Sequence, residues 1–230
     1  ELTMTCARKR MVRGETQYNK MSRFLKEVPL ELIRNSRILH LGSISLTDES
    51  VRSTTLFAVQ KAKEAGCVIS YDPNYRASLW KSEELAKKQM RSMVQYADLM
   101  KISEEETMLL TGESDYQKAA ELLMQSGVKI VVVTLGKTGA YVQTRQGGQL
   151  VKGFQNKAVD ATGAGDAFWG GFLFQFSRCE KASETITTEE AAKFADFGNA
   201  VASVCVQKHG AIPAMPDMAQ TLEQLKEERL

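Results

Sequence analysis

The sequence predicts an α/β protein with a central, mostly parallel sheet flanked by helices. Three observations carry this. From Arg37 onward, short apolar runs alternate with stretches of helical length. The runs are rich in β-branched residues, "KIVVVTLG" most of all, as strands buried on both faces are. Glycines and one proline punctuate the alternation. Strands alternating with helices at this spacing imply right-handed βαβ units.

The elements follow in order. "RILHLGSIS" reads as a strand, then "TDESVRSTTLFAVQKAKEAG" as a helix with Thr47 at its N-cap and Gly66 at its stop. "CVISYDP" is a strand ended by Pro73. "SEELAKKQMRSMVQYA" is a helix with Leu85, Met90, Met93 and Val94 near one face, and "DLMKIS" returns to strand. "YQKAAELLMQSG" is a helix stopped by Gly127, before the strand "KIVVVTLG". The pattern then changes: "AYVQTRQGGQLVKGF" predicts a hairpin turning at Gly147-Gly148. In "TTEEAAKFADFGNAVASVCVQK", a long helix is announced by Thr187 and Glu190 at capping-box spacing. No internal repeat, low-complexity tract or linker interrupts the chain.

Composition bounds the function. With 43% hydrophobic and 25% charged residues over 230 positions, the chain is an ordinary globular protein. A net charge of +2 gives no broad field toward nucleic acid or membrane. Cys6, Cys67, Cys179 and Cys205 form no C-x-x-C pair, and with His40 and His209 they make no zinc-like cluster. A reduced, cytoplasmic protein is the expectation, with neither a membrane span nor a secretory signal. The polar, basic stretch Ala7 to Glu27 is expected to be a solvated loop or frayed helix. It lacks the clustered aromatics of a single-strand binder.

Two phosphate-binding patterns fail on spacing. "LGKTG" lacks the glycine that a P-loop requires at position 131, which is Val131. "TGAGDAF" has Phe168 where a dinucleotide fingerprint needs its third glycine, and it follows a hairpin rather than a first strand. What remains is "VDATGAGDAFWGGFLFQF", with a helix expected to start near Ala164. Helix N-termini expose unpaired N–H groups and partial positive charge, and glycines let a phosphate approach the backbone. Asp166 then stands beside an anion site, placed to take a proton from an alcohol during phosphoryl transfer. The competing reading is a glycine-rich turn with Asp166 as an ordinary helix-start acid.

"DATGAGDAFWGGFL" resembles the second signature of the PfkB-type, ribokinase-like carbohydrate kinases. "YDPNYRASLW", "ADLMKISEEETMLLTG", "VVVTLGKTGAYV" and "NAVASVCVQKHGAIPAMP" resemble further family segments in the family's order, over Ile38 to Pro216. The resemblance implies a ribokinase-like fold in residues 38–230, preceded by a non-matching segment 1–37. It implies ATP-dependent phosphorylation of a sugar hydroxyl, fructose first. The alternatives are 2-keto-3-deoxygluconate and a non-catalytic nucleotide-binding remnant. Asp166 is then the general base, and the backbone of Gly163, Ala164 and Gly165 the anion hole. Glu106 helps hold Mg²⁺ through water. Thr134 and Gly136 line the nucleotide site, with Asn199 near the adenine. Asp160 and Thr162 join a monovalent-cation site such as one for K⁺. Asn74 and Arg76 stand on the sugar side. A homodimer is left open.

Two departures stand out. Ser103 replaces the asparagine of the family's N-x-x-E pattern, and a serine still offers a hydrogen bond. The first 37 residues do not match the section that carries the family's first strands, glycine-rich first signature, sugar contacts and β lid. As written, the chain is expected to have an incomplete sugar pocket and an exposed sheet edge. Weak nucleotide binding and little or no fructose turnover are expected to follow.

Overall fold

The computed structural model describes residues 9–12, 15–18 and 36–229. The chain divides into two compact units, Glu1–Ala97 and Asp98–Leu230.

In the first unit, β1 (Lys9–Val12) and β2 (Glu15–Tyr18) pair antiparallel, Lys9 opposite Tyr18 and Val12 opposite Glu15. The loop or frayed helix expected there is corrected to a hairpin. Its signal was Gly14 between two short runs carrying β-formers, hidden by the surrounding charge. The rest of Ala7 to Glu27 lies outside the described residues.

Next, β3 (Ile38–Gly42) runs parallel to β4 (Val68–Asp72), Ile38 opposite Val68 and Gly42 opposite Asp72. The crossover is α1 (Glu49–Glu64). Its N-cap is Asp48 rather than Thr47: the Asp48 carboxylate accepts from the Ser50 N–H at 3.2 Å, while the Thr47 hydroxyl donates back to the Ile44 carbonyl. Gly66, at φ 77°, ends the helix in the left-handed region that favours glycine. The helix α2 (Glu83–Val94) is capped by Ser82 and buries Ala86, Met90, Met93 and Val94 along one face.

The second unit opens with β5 (Leu99–Ser103) parallel to β6 (Ile130–Thr134), Leu99 opposite Ile130 and Ser103 opposite Thr134. Between them lie α3 (Glu104–Thr111) and α4 (Tyr116–Gln125). Ile130, Val131, Val132 and Val133 are wholly buried, as the β-branched run predicts. An antiparallel hairpin follows, β7 (Gly139–Thr144) and β8 (Gly147–Lys152), with β7 paired to β6. Its turn is Arg145-Gln146, two residues before the predicted glycines. Gly147 and Gly148 are already in strand, and a methyl group on Gly148 would lie 1.7 Å from the Tyr141 hydroxyl. The glycine there answers to a side chain crossing it, not to the turn.

Two helices complete the unit's main packing: α5 (Ala164–Arg178) and α6 (Thr188–Cys205). They approach closely through Gly171 and Gly198. A methyl on Gly198 would sit 2.7 Å from the Phe168 carbonyl, and one on Gly171 2.9 Å from Val201. Around that crossing Trp169 stacks on Phe172 at 4.8 Å, and Phe172 meets Phe194 edge-on at 5.7 Å. The expected capping box is present, with the Glu190 N–H donating to Thr187 and the Thr187 N–H to Glu190. After α7 (Met218–Gln224), Arg229 donates to Asp196 at 3.0 Å and lies 3.7 Å over the Phe154 ring. No helix among the described residues is long and apolar enough to cross a membrane.

Candidate active site

The first turn of α5 is built unlike the starts of most helices here. Asp48, Ser82, Asp115, Thr187 and Asp217 each cap a helix by accepting a backbone N–H with the side chain. The cap of α5 is Gly163, which has no side chain to offer. Ala164 donates to the Ala161 carbonyl and Ala167 to that of Gly163. The N–H groups of Gly165 and Asp166 have no acceptor among the described residues. Of the three residues expected to form an anion hole, Ala164 thus has its N–H turned into the loop, and the next donor along is that of Asp166 itself. The Asp166 side chain is exposed.

The loop before this turn is strapped down. Val159 and Asp160 donate to the Val206 carbonyl at 2.7 and 3.1 Å. Asp160 accepts the Thr162 N–H at 2.9 Å on one oxygen and the Gly210 N–H at 2.9 Å on the other. A methyl on Gly163 would lie 2.6 Å from the Ala211 side chain. Segment 209–215 therefore packs directly on the turn. The Thr162 hydroxyl, then the Gly210 and Thr162 N–H groups, hold the Asp160 carboxyl at about 2. A lowered carboxyl pKa stabilises the fold above the unfolded value of 3.8 and loses that contribution as pH falls through about 2. The stability difference between wild type and Asp160→Asn is expected to be constant above about pH 5 and to shrink as pH falls through the window between those two pKa values. Urea titrations across pH 2–6 read it; a difference independent of pH would remove the strap.

Glu106 sits at the third position of α3, 7% exposed, and accepts the Ser103 N–H at 2.8 Å. It is a buried carboxylate at the C-terminal end of β5. Thr134, at the end of β6, donates to the Ile102 carbonyl at 3.3 Å. Gly136 has φ 57° and open space around it. Asn199 is buried in α6, its amide nitrogen donating to the Val151 and Lys152 carbonyls at 3.2 Å, so it first of all ties α6 to β8. Among the described residues, no group of three or more His, Cys, Asp or Glu side chains is arranged to hold a metal.

Asn74 and Arg76 belong to the first unit. Asn74 takes φ 45°, unusual for a residue with a side chain, and its N–H donates to the Asp72 carboxylate at 3.2 Å. Arg76 is exposed and donates to the Tyr75 carbonyl.

One residue near the turn went unread in the sequence. Lys101, in the middle of β5, is 5% exposed, and its ammonium lies 3.3 Å from where a methyl on Gly165 would be. Its signal was a lysine inside the run "DLMKIS".

Comparison with known proteins gives the family. Residues 8–218 match the family model of the pfkB family carbohydrate kinases, and the chain belongs to that family. The match reaches back beyond Ile38 into the segment where no family motif was legible. Among curated relatives, the probable fructokinase-2 of Arabidopsis thaliana is 41% identical over 201 residues, 87% of this chain and 60% of that protein. Fructokinase-2 of Solanum lycopersicum is 40% identical over 203 residues, 87% and 61%. The chain thus spans about 60% of the length of these relatives. Among solved structures, a fructokinase from Vibrio cholerae O395 in fructose, ADP and calcium ion bound form is 32% identical with a TM-score of 0.78, covering 86% of this chain and 65% of that one. A fructokinase from Xylella fastidiosa with bound ATP is 27% identical with a TM-score of 0.80, covering 93% and 71%. The fold is the ribokinase-like α/β fold.

Proposed function

We propose that the protein transfers the γ-phosphoryl group of ATP to a sugar hydroxyl, with fructose as the sugar. The observation that carries this is an exposed Asp166 in the first turn after a glycine cap, where the Gly165 and Asp166 N–H groups have no acceptor among the described residues. Similarity of about 40% to fructokinases supports the choice of sugar.

In this reading Asp166 accepts the proton of the attacking hydroxyl. The hydroxyl oxygen bonds to the γ-phosphorus, the bond to the β,γ-bridging oxygen breaks, and ADP leaves with that electron pair. The N–H groups of the turn stabilise the charge that develops. By resemblance to the family, Thr134, Gly136 and Asn199 are assigned to the nucleotide, and Asn74 and Arg76 to the sugar. Mg²⁺, when bound, would supply charge neutralisation. It keeps most of its waters and asks few ligands of a protein, so one buried carboxylate, Glu106, fits. A K⁺-like cation beside Asp160 and Thr162 would use the lone pairs that the strap leaves over.

Glu106→Gln is expected to raise the Mg²⁺ concentration needed for half-maximal activity more than it changes the apparent sugar affinity. Glutamine still closes the helix cap, so the loss is of charge at the metal. A magnesium titration superposing on wild type would take Glu106 out of the site.

The function itself is tested by ADP release from the full-length gene product with fructose, ribose, 2-keto-3-deoxygluconate, nucleosides or no acceptor. Fructose-dependent release is expected. Preference for the keto acid would change the substrate, and nucleotide binding without acceptor-dependent release would leave a binding protein.

A further inference from the structure

We propose that Asp72 is a positioning residue for the sugar: through the backbone of Asn74 it sets where the Arg76 guanidinium stands. The proposal rests on the kinase reading above and on the assignment of Arg76 to the sugar. Asp72 is the last residue of β4 and is 3% exposed. One of its carboxylate oxygens accepts the Asn74 N–H at 3.2 Å. Among the described residues, Asn74 is the one residue other than glycine with a positive φ, 45°. That region is costly for a residue with a Cβ, and least so for asparagine or aspartate. Such a conformation persists only where its surroundings hold it.

The surroundings do hold it. The end of β4 is tied to the end of β3. Gly42 stands opposite Asp72, the Ser43 N–H donates to the Pro73 carbonyl at 3.1 Å, and a methyl on Gly42 would lie 3.2 Å from the Asp72 carbonyl oxygen. The ring of Pro73 fixes its own φ. The Asp72 carboxylate then closes the turn onto the backbone two residues on, as an aspartate side chain does in turns. Residues 72–74 are thus fixed at the C-terminal ends of two parallel strands. Arg76 follows two residues later, and the fold does little else to place it. It is exposed, and among the described residues its guanidinium donates only to the carbonyl of its neighbour Tyr75, at 3.1 Å. A side chain held by nothing but the backbone it hangs from goes where that backbone goes. Its remaining donors form a planar fork suited to a pair of oxygens on a ligand. A turn left loose at Asn74 would spread Arg76 over many positions, and each sugar that bound would have to gather it in.

The test uses the full-length gene product. Asp72→Ala is expected to lower kcat/KM for fructose by about 10–10²-fold, the scale of a lost alignment. The loss falls chiefly on the KM for fructose, with the KM for ATP unchanged. Asp72→Asn keeps the accepting oxygen and is expected to bring the KM for fructose back to near wild type. A double-mutant cycle with Arg76→Ala gives the readout that a merely structural role would not move. If Asp72 acts by placing Arg76, removing both costs no more than removing Arg76 alone, whereas independent effects multiply. The role of Asp72 is overturned by a wild-type fructose KM in Asp72→Ala or in Arg76→Ala, by effects that multiply, or by an Asp72→Asn as impaired as Asp72→Ala. Each of these leaves the kinase reading intact as long as the unmodified protein releases ADP in response to fructose. No acceptor-dependent release by the unmodified protein overturns both. Should Asp72→Ala fail to fold, Asp72→Ser takes its place, because a hydroxyl serves the same turn more weakly. A raised fructose KM that vanishes in the Arg76→Ala background supports the role, and an unchanged or multiplying one overturns it.

Discussion

Asp166→Asn is expected to lower kcat by about 10²–10⁴-fold, the usual contribution of a general base, with nucleotide affinity and thermal stability held near wild type. The Asp166 side chain is exposed and stands one residue past Gly165, so its loss creates no cavity and leaves no buried group unpaired. Asparagine keeps the shape and the oxygen but cannot take a proton at neutral pH. The effect therefore belongs on kcat rather than on the apparent affinity for sugar. Steady-state kinetics in the full-length gene product with fructose varied at saturating ATP separates the two. Turnover within a few-fold of wild type would return Asp166 to the part of an ordinary helix-start acid.

Gly163→Ala is expected to cost on the order of 2–5 kcal/mol of stability and to abolish turnover. Two costs add. At φ 79° an L-residue sits in the left-handed region, at roughly 1–2 kcal/mol. The new methyl would then lie 2.6 Å from the Ala211 Cβ and 3.1 Å from its Cα, an overlap typically costing 1–3 kcal/mol to relieve. Gly66→Ala separates the terms, because Gly66 has φ 77° with nothing within 4 Å of its would-be methyl. It should pay only the first. Urea denaturation of both variants checks the difference. Equal destabilisation would mean that Ala211 gives way freely and that segment 209–215 does not brace the turn.

Most of the order of strands and helices from Ile38 onward was legible because period and punctuation are local properties. So were the start of α5 at Ala164 and the capping box of α6. The short helices α3 and α7 went unread. What was missed depends on residues far apart in sequence. The turn of the β7–β8 hairpin falls at Arg145-Gln146, and Gly148 instead makes room for Tyr141, a fact about the facing strand. The β1–β2 hairpin was masked by charge that period analysis reads as solvent. Around the site, glycines and acids announced the turn. That Asp160 spends both oxygens on backbone N–H groups depends on Gly210, fifty residues away. Lys101 was hidden by its neighbours: inside a strand-like run, one lysine reads as an interruption until Gly165 is seen beside it.

The bond from the Gly210 N–H to Asp160 has a practical sequel. Segment 209–215 cannot lift from the turn without breaking it, since both sides of that contact meet there. An N–H held by an ionised carboxylate exchanges its hydrogen for deuterium only when the bond opens. The Gly210 amide is thus an intrinsic gauge, readable without a substitution. Its exchange rate, followed while ligands are added one at a time, reports which of them quiets the loop and in what order they do so.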